Sequence, residues 1–264
     1  MTYSSIRTSY GFTLVEMAMV LIIVALLLGG LLPTISSQVE RQRVSETSKQ
    51  LADIKEALIG FAVINGRLPC PATNTSNGME SFCTANASGV ACGAQMSSPV
   101  PANGRCFNPY NGFVPAATLG ITPVDANGYM LDGWNNRIHY AVTALTNAGI
   151  DVFTAPGGMS TVGISNLAPD LLVCSNTTAA GFSGSSCGTN NSLTSSPGVP
   201  VVIYSTGKNG AYGGTSTDEA ANLNGNKTFV SHTPAPIPNE FDDIVIWLSP
   251  NVLINRMVTA GQLP

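Results

Sequence analysis

Four groups of residues have the types and spacing to do chemistry. The first is a single acid, Glu16, in a run where every other residue from Leu14 to Leu32 is apolar or Gly. A carboxylate at the centre of a bilayer costs about 2.5–3.5 kcal/mol, and charges kept inside such segments usually have a task. Its options are a charge-assisted pair with a cation or retreat to the headgroups. The second group is Asp218, Glu219, Asp242 and Asp243, with Asn209, Asn222, Asn224 and Glu240 close by in sequence. Five of the ten acids beyond Pro69 fall between Asp218 and Asp243. Hard oxygen donors in a Gly-rich stretch suit a calcium ion, which would relieve their repulsion. Alternation along an extended chain predicts that only one of Asp242 and Asp243 is a ligand. A solvated acidic loop is the competing reading.

The third group is the six cysteines, Cys70, Cys83, Cys92, Cys106, Cys174 and Cys187. None forms a C-x-x-C pair, and His139 and His232 are the only histidines, so the pattern points to disulfides rather than zinc. Closeness in sequence favours Cys174–Cys187. Among the remaining connectivities, a nested Cys70–Cys106 around Cys83–Cys92 is preferred. The fourth group, Gly184-Ser-Ser-Cys-Gly188, fits the G-x-S-x-G nucleophile pattern, with Asp218 and His232 following in hydrolase order. That chemistry needs a strand before the serine and a helix after it. The motif lies instead in a Ser/Thr/Gly/Asn stretch over 175–197, so no enzyme is expected. Gly207-Lys-Asn-Gly210 lacks the spacing of a phosphate loop.

The elements that must position these residues follow from pattern and composition. The 264 residues carry a net charge of −4, which excludes a general nucleic-acid binder. Charges are concentrated in one segment, with nine from Ser36 to Pro69 and fifteen in everything beyond. The apolar run is about the ~20 residues that cross a bilayer. Gly29, Gly30 and Pro33 weaken or kink the helix beyond it. Leu51, Ile54, Leu58 and Phe61 then step along one helical stripe, and Gly66 with Pro69 is a stop signal. One helix is therefore predicted from about Thr13 to Asn65. A turn-rich insert over 70–111 precedes strands at Arg137–Leu145, Val199–Tyr204 and Asp243–Leu248, with weaker ones at Ile150–Phe153 and Leu171–Cys174. Ser249 and Pro250 open a final helix through Val252, Leu253, Met257 and Val258, which Gly261 stops. Trp134 and Trp247 are expected in the core. A long helix followed by strands without intervening helices gives an α+β fold with a small antiparallel sheet.

A secretory signal would have a shorter apolar core and a small-x-small cleavage site. A plain single-span anchor explains the length but not Glu16. Gly11-Phe-Thr-Leu-Val-Glu16 followed by the apolar run resembles the leader and N-methylation motif of type IV pilins and type II secretion pseudopilins. Leu131-Asp-Gly-Trp-Asn-Asn-Arg-Ile-His-Tyr140 is similar to the segment that opens the sheet in pseudopilins, with Asn135 where the family often has Gly. Tyr204-Ser-Thr-Gly-Lys-Asn-Gly210, Gly213-Gly214, Asp218 and Asp242-Asp-Ile-Val-Ile-Trp247 resemble the calcium loop and last strand of major pseudopilins. Asn209 stands there in place of an acid. The 70–111 insert and the 175–197 loop have no counterpart in the family.

The resemblance implies a pilin-like fold and four segments: a leader over 1–11, a membrane and assembly helix over 12–35, its amphipathic continuation over 36–69, and a globular domain over 70–264. It implies cleavage between Gly11 and Phe12 by the prepilin peptidase and methylation of the Phe12 amine. Glu16 would pair with the Phe12 amine of a neighbouring subunit. Calcium would be held by Asn209, Asp218 and one or both of Asp242 and Asp243. Expected partners are the peptidase, other pilin or pseudopilin subunits and inner-membrane lipid, with no specific nucleic acid. The expected location is the bacterial inner membrane, single-pass with the globular domain periplasmic, and then a filament. Alternatives are an adhesin-like or tip module on a pilin stalk, and a simple bitopic envelope protein.

Overall fold

The computed structural model describes residues 11–84, 92–213 and 216–264, without the side chains of 28–36 and 212. The expected leader therefore lies outside the described residues except for Gly11, as does Gly214. The chain divides into two compact units, Met1–Ser45 and Glu46–Pro264. Helix α1, Leu14–Asn65, belongs to both and is unbroken through Gly29, Gly30 and Pro33. It starts with a capping box. The Thr13 amide and hydroxyl each donate to Glu16 Oε2 at 3.3 Å, and the Glu16 amide donates to Thr13 Oγ1 at 3.2 Å. It ends as its stop signal requires. Gly66 takes a left-handed φ of +66° and its amide donates to the Ala62 carbonyl. Among the described residues no helix is long and apolar enough to cross a membrane.

In the larger unit the sheet contains β1 (Gly112–Phe113), β2 (His139–Val142), β4 (Val201–Ser205) and β6 (Ile244–Leu248). Their order is β6-β4-β2-β1, antiparallel throughout. The fold is α+β. Strand β3 (Leu172–Cys174) pairs instead with β5 (Thr228–Val230), in parallel. Neither β5 nor the short helix α2 (Thr217–Leu223) was anticipated from the sequence. The segment at Ile150 contributes only a two-residue hairpin arm, Ile150–Asp151, while Val152 and Phe153 drop into the core.

Alternation decides the layers. Tyr140, Val142, Val201, Ile203 and Leu248 face one side, with Leu51, Ile54 and Leu58 of α1 and Leu253 and Met257 of helix α3 (Pro250–Thr259). Ala141, Val202, Tyr204 and Val245 face the other, packed on Val173 and Phe229. Both faces of β4 are thus covered, which explains its uninterrupted apolar sequence. Val252 and Val258 of α3 remain exposed, and Trp134 and Trp247 are half-buried rather than core residues.

The helix is tied to the cysteine-rich insert by a buried ion pair. Arg67 donates from Nη1 to Glu80 Oε2 at 2.8 Å and from Nη2 to Oε1 at 2.7 Å. The Cys70 amide also donates to Glu80 Oε2, and the guanidinium lies over the rings of Phe61 and Phe82. The cysteines pair as Cys70–Cys106, Cys83–Cys92 and Cys174–Cys187. Closing a loop of 36 residues, Cys70–Cys106 restricts the unfolded chain by about 3–5 kcal/mol in the chain-entropy account. Removing one partner of a buried pair strands the other charge. Arg67→Met is therefore expected to lower unfolding stability by about 3–5 kcal/mol in denaturant titration. Adding Glu80→Gln to that variant should recover part of the loss.

Candidate metal centre

The acidic residues are brought together by three local devices. Ser216 caps α2 through a capping box: its hydroxyl accepts from the Glu219 amide, and its own amide donates to Glu219 Oε2. The box turns the Glu219 carboxylate inward, where the residue is 1% exposed. Asp242 and Asp243 arrive on the segment entering β6. Gly207 supplies the close approach: a Cβ there would meet Asp242 Oδ1 at 2.2 Å. At Glu219, Asp242 and Asp243 one carboxylate oxygen from each lies within 4.8 Å of the others.

The hydrogen bonds satisfy this cluster except at one oxygen of Asp242. Asp242 Oδ2 accepts from the amides of Lys208 and Asn209, at 3.0 and 3.2 Å. Its Oδ1 is buried and has no hydrogen-bond partner among the described residues. Asp243 Oδ2 accepts from Asn222 Nδ2 at 2.7 Å. Asn209 Nδ2 donates to both Glu219 oxygens at 3.1 Å. Burial pushes the Asp243 carboxyl up to about 8, with the charges of Glu219 and Asp242 adding to it against the Asn222 hydrogen bond. Burial likewise lifts Asp242 to about 6.

Two expectations about the ligands are corrected. Asp218 lies outside the cluster. Its Oδ1 accepts from the Thr177 amide and hydroxyl, at 2.7 and 2.6 Å, and its Oδ2 faces His232 Nε2 at 3.2 Å. It fastens the 175–197 loop to α2, and Glu219 takes its place in the cluster. The Ser216-x-x-Glu219 pattern announces a capping box that holds the Glu219 carboxylate against the Ser216 amide, and the packing of α2 then buries it. Asp242 and Asp243 both point into the cluster, because strict alternation begins only with β6 at Ile244. Asn209 is adjacent, with its amide nitrogen turned to Glu219.

The donor set fits a hard divalent cation. Oxygens bound at 2.3–2.6 Å to one calcium ion can lie up to about 5 Å apart. The carboxylates meet that limit, and an unpartnered Asp242 oxygen is available. Glu219, Asp242 and Asp243 would hold the ion, which would supply charge neutralisation.

The Asn135 turn is built beside this region. Asp132 Oδ1 accepts from the Trp134 and Asn136 amides, and Asn135 takes a left-handed φ of +67°. Asn tolerates that region better than other residues with a Cβ, so it does here what Gly would do. The nucleophile motif has no matching geometry. Ser186 begins a two-residue strand, Ser186–Cys187, in a hairpin with Phe182–Ser183, and its Oγ accepts from the Gly188 amide. His232 is engaged at both ring nitrogens, by Asp218 and the Thr233 carbonyl. At the other end of the chain, Glu16 sits in the Thr13 capping box, and Phe12 and Leu14 are 77% and 87% exposed. The three disulfides are compatible with an oxidising periplasm or extracellular space.

Comparison with protein-family models, curated proteins and solved structures returns no match.

The raised carboxyls set the pH dependence. Asp242 and Asp243 keep protons in the folded chain above the ordinary carboxylate value of about 4. The folded state then binds more protons than the unfolded one, so stability falls as pH rises from about 4 towards about 8. A bound cation replaces those protons. Millimolar calcium is expected to raise the melting temperature, more at pH 8 than at pH 5, and a chelator to reverse it. A melting temperature at pH 8 that neither reagent moves would contradict the site.

Proposed function

We propose that the chain is a structural subunit of a filament of the type IV pilin or type II secretion pseudopilin kind, assembled through the front of α1. The observation that carries this reading is the exposure of that front. From Phe12 to Leu27 apolar side chains emerge on every side of the helix, exposed among the described residues. An all-round apolar helix needs lipid or neighbouring helices as its surroundings. In this reading residues 12–35 are held in the bacterial inner membrane before assembly, with the globular unit in the periplasm, and pack as the filament core afterwards.

Glu16 supplies the register. The prepilin peptidase cuts after Gly11 and methylates the Phe12 amine, which becomes a cation at the end of a neighbouring apolar helix. In surroundings of low dielectric the pair of that amine with Glu16 is far stronger than in water. It fixes one subunit axially against the next, as single buried polar contacts do in helical assemblies. The capping contacts use only Glu16 Oε2 and are long, at 3.3 Å. Oε1 is left for the amine. The globular unit would face the periplasm or cell surface with calcium holding the Glu219 cluster together.

A second reading, a tip or adhesin-like module on the same stalk, is favoured by the insert held by Cys70–Cys106 and Cys83–Cys92.

Glu16→Ala and Glu16→Gln separate cap from charge, because Gln serves in a capping box as Glu does. Both variants are expected to be cut after Gly11 and to be depleted from sheared filaments by at least about tenfold, corresponding to roughly 1.4 kcal/mol. Incorporation of Glu16→Gln at the wild-type level would contradict the charge pair.

A further inference from the structure

Two depressions in the larger unit share one wall, the ring of Phe107. The first has a volume of about 500 Å³ and is lined by Asn103, Arg105, Thr146 and Asp151. The second, about 290 Å³, is lined by Asn74, Asn108 and Asn111. Phe107 is 38% exposed and belongs to no core cluster, although the Cys70–Cys106 disulfide fixes the backbone next to it. Its amide donates to the Ser81 carbonyl. The ring is thus an apolar surface held in place between two polar hollows.

The polar groups of the first hollow combine both signs. Asp151 is 7% exposed, and its Oδ1 accepts from the Thr146 hydroxyl at 2.9 Å. Burial pushes the Asp151 carboxyl up, while the Thr146 bond and the charge on Arg105 draw it down. The Arg105 guanidinium makes no hydrogen bond or ion pair at contact distance among the described residues. A cation would meet Arg105 and an anion would meet Asp151. A hydroxyl group both donates and accepts, so it satisfies the two together. In the second hollow the exposed Asn74 side chain is likewise unbonded among the described residues, and amides suit hydroxyls for the same reason.

We infer that Phe107 and the two hollows beside it form a carbohydrate-binding site. It takes a neutral oligosaccharide whose C–H face stacks on the Phe107 ring while its hydroxyls meet Arg105 and Asp151 on one side and Asn74 on the other. The site is independent of the acidic cluster and of filament assembly, so its failure would leave both untouched.

The test uses the full chain in a zwitterionic detergent, which carries no sugar headgroup to compete. Maltotriose, cellotriose, mannotriose and chitotriose are titrated by calorimetry up to about 10 mM, where binding is worth only about 3 kcal/mol. At least one is expected to bind, with saturation transfer from aromatic protons to the sugar C–H protons. Phe107→Ala and Arg105→Ala should each weaken that binding about tenfold, which is roughly 1.4 kcal/mol, and Phe107→Ala should do so without moving the melting temperature. Binding by none of the four would overturn the site. So would affinity that survives Phe107→Ala, or binding of inorganic phosphate in the absence of any sugar binding. If Phe107→Ala lowers the melting temperature, the transfer signal in the unaltered chain decides: its presence sustains the site and its absence overturns it.

Discussion

The Arg67–Glu80 pair lies where α1 ends and the chain must turn into the rest of the larger unit, and the position of the insert depends on it. Two parallel hydrogen bonds set both the distance and the plane of the contact. The Phe61 and Phe82 rings keep water from it. A buried pair adds little to stability by itself, since desolvation offsets most of the attraction. What it supplies is direction. Glu80 also takes the Cys70 amide, Cys70 is joined to Cys106, and the Tyr140 hydroxyl of β2 donates to the Pro69 carbonyl. A few residues after Gly66 thereby fix the helix end, the insert and the sheet to one another.

A second chain of contacts leads from the same helix towards the acidic cluster. Thr47 accepts at its hydroxyl from the Gly133 amide, within the turn that Asp132 organises. The Ser205 hydroxyl donates to Asp132 Oδ2 and accepts from the Gly207 amide. Gly207 in turn leaves the room that Asp242 Oδ1 occupies. Burial holds Asp132 above the ordinary carboxylate range, as it does Asp242 and Asp243. The unit thus keeps several carboxyls where their charge is penalised, and a cation at Glu219, Asp242 and Asp243 would offset that penalty at Asp242 and Asp243.

Features set by neighbouring residues were legible in the sequence. The helix limits, the final helix at Ser249-Pro250 and the central strands follow from periodicity and stop residues. Of the cysteine pairs, Cys174–Cys187 follows from closeness along the chain, and the nested Cys70–Cys106 around Cys83–Cys92 matches the preferred pairing. Thr13-x-x-Glu16 and Ser216-x-x-Glu219 were equally readable as capping boxes, but Glu16 is exposed and Glu219 buried, so the box alone does not place Glu219 in the cluster. Other features depend on distant partners. Arg67 meets Glu80 across the Cys70 turn, and β3 meets β5 with more than fifty residues between them. Three-residue strands carry too little pattern to announce such a pairing. Asp242 and Asp243 defied alternation because the strand starts one residue later than their sequence suggests.

Assembly through α1 depends above all on what happens at Gly11 and Phe12. Intact-mass and N-terminal fragment mass spectrometry of the chain from its native membrane addresses that directly. Assembly through a processed α1 predicts a mature chain that begins with N-methylated Phe12. A chain that retains Met1, or is cut elsewhere, would contradict it.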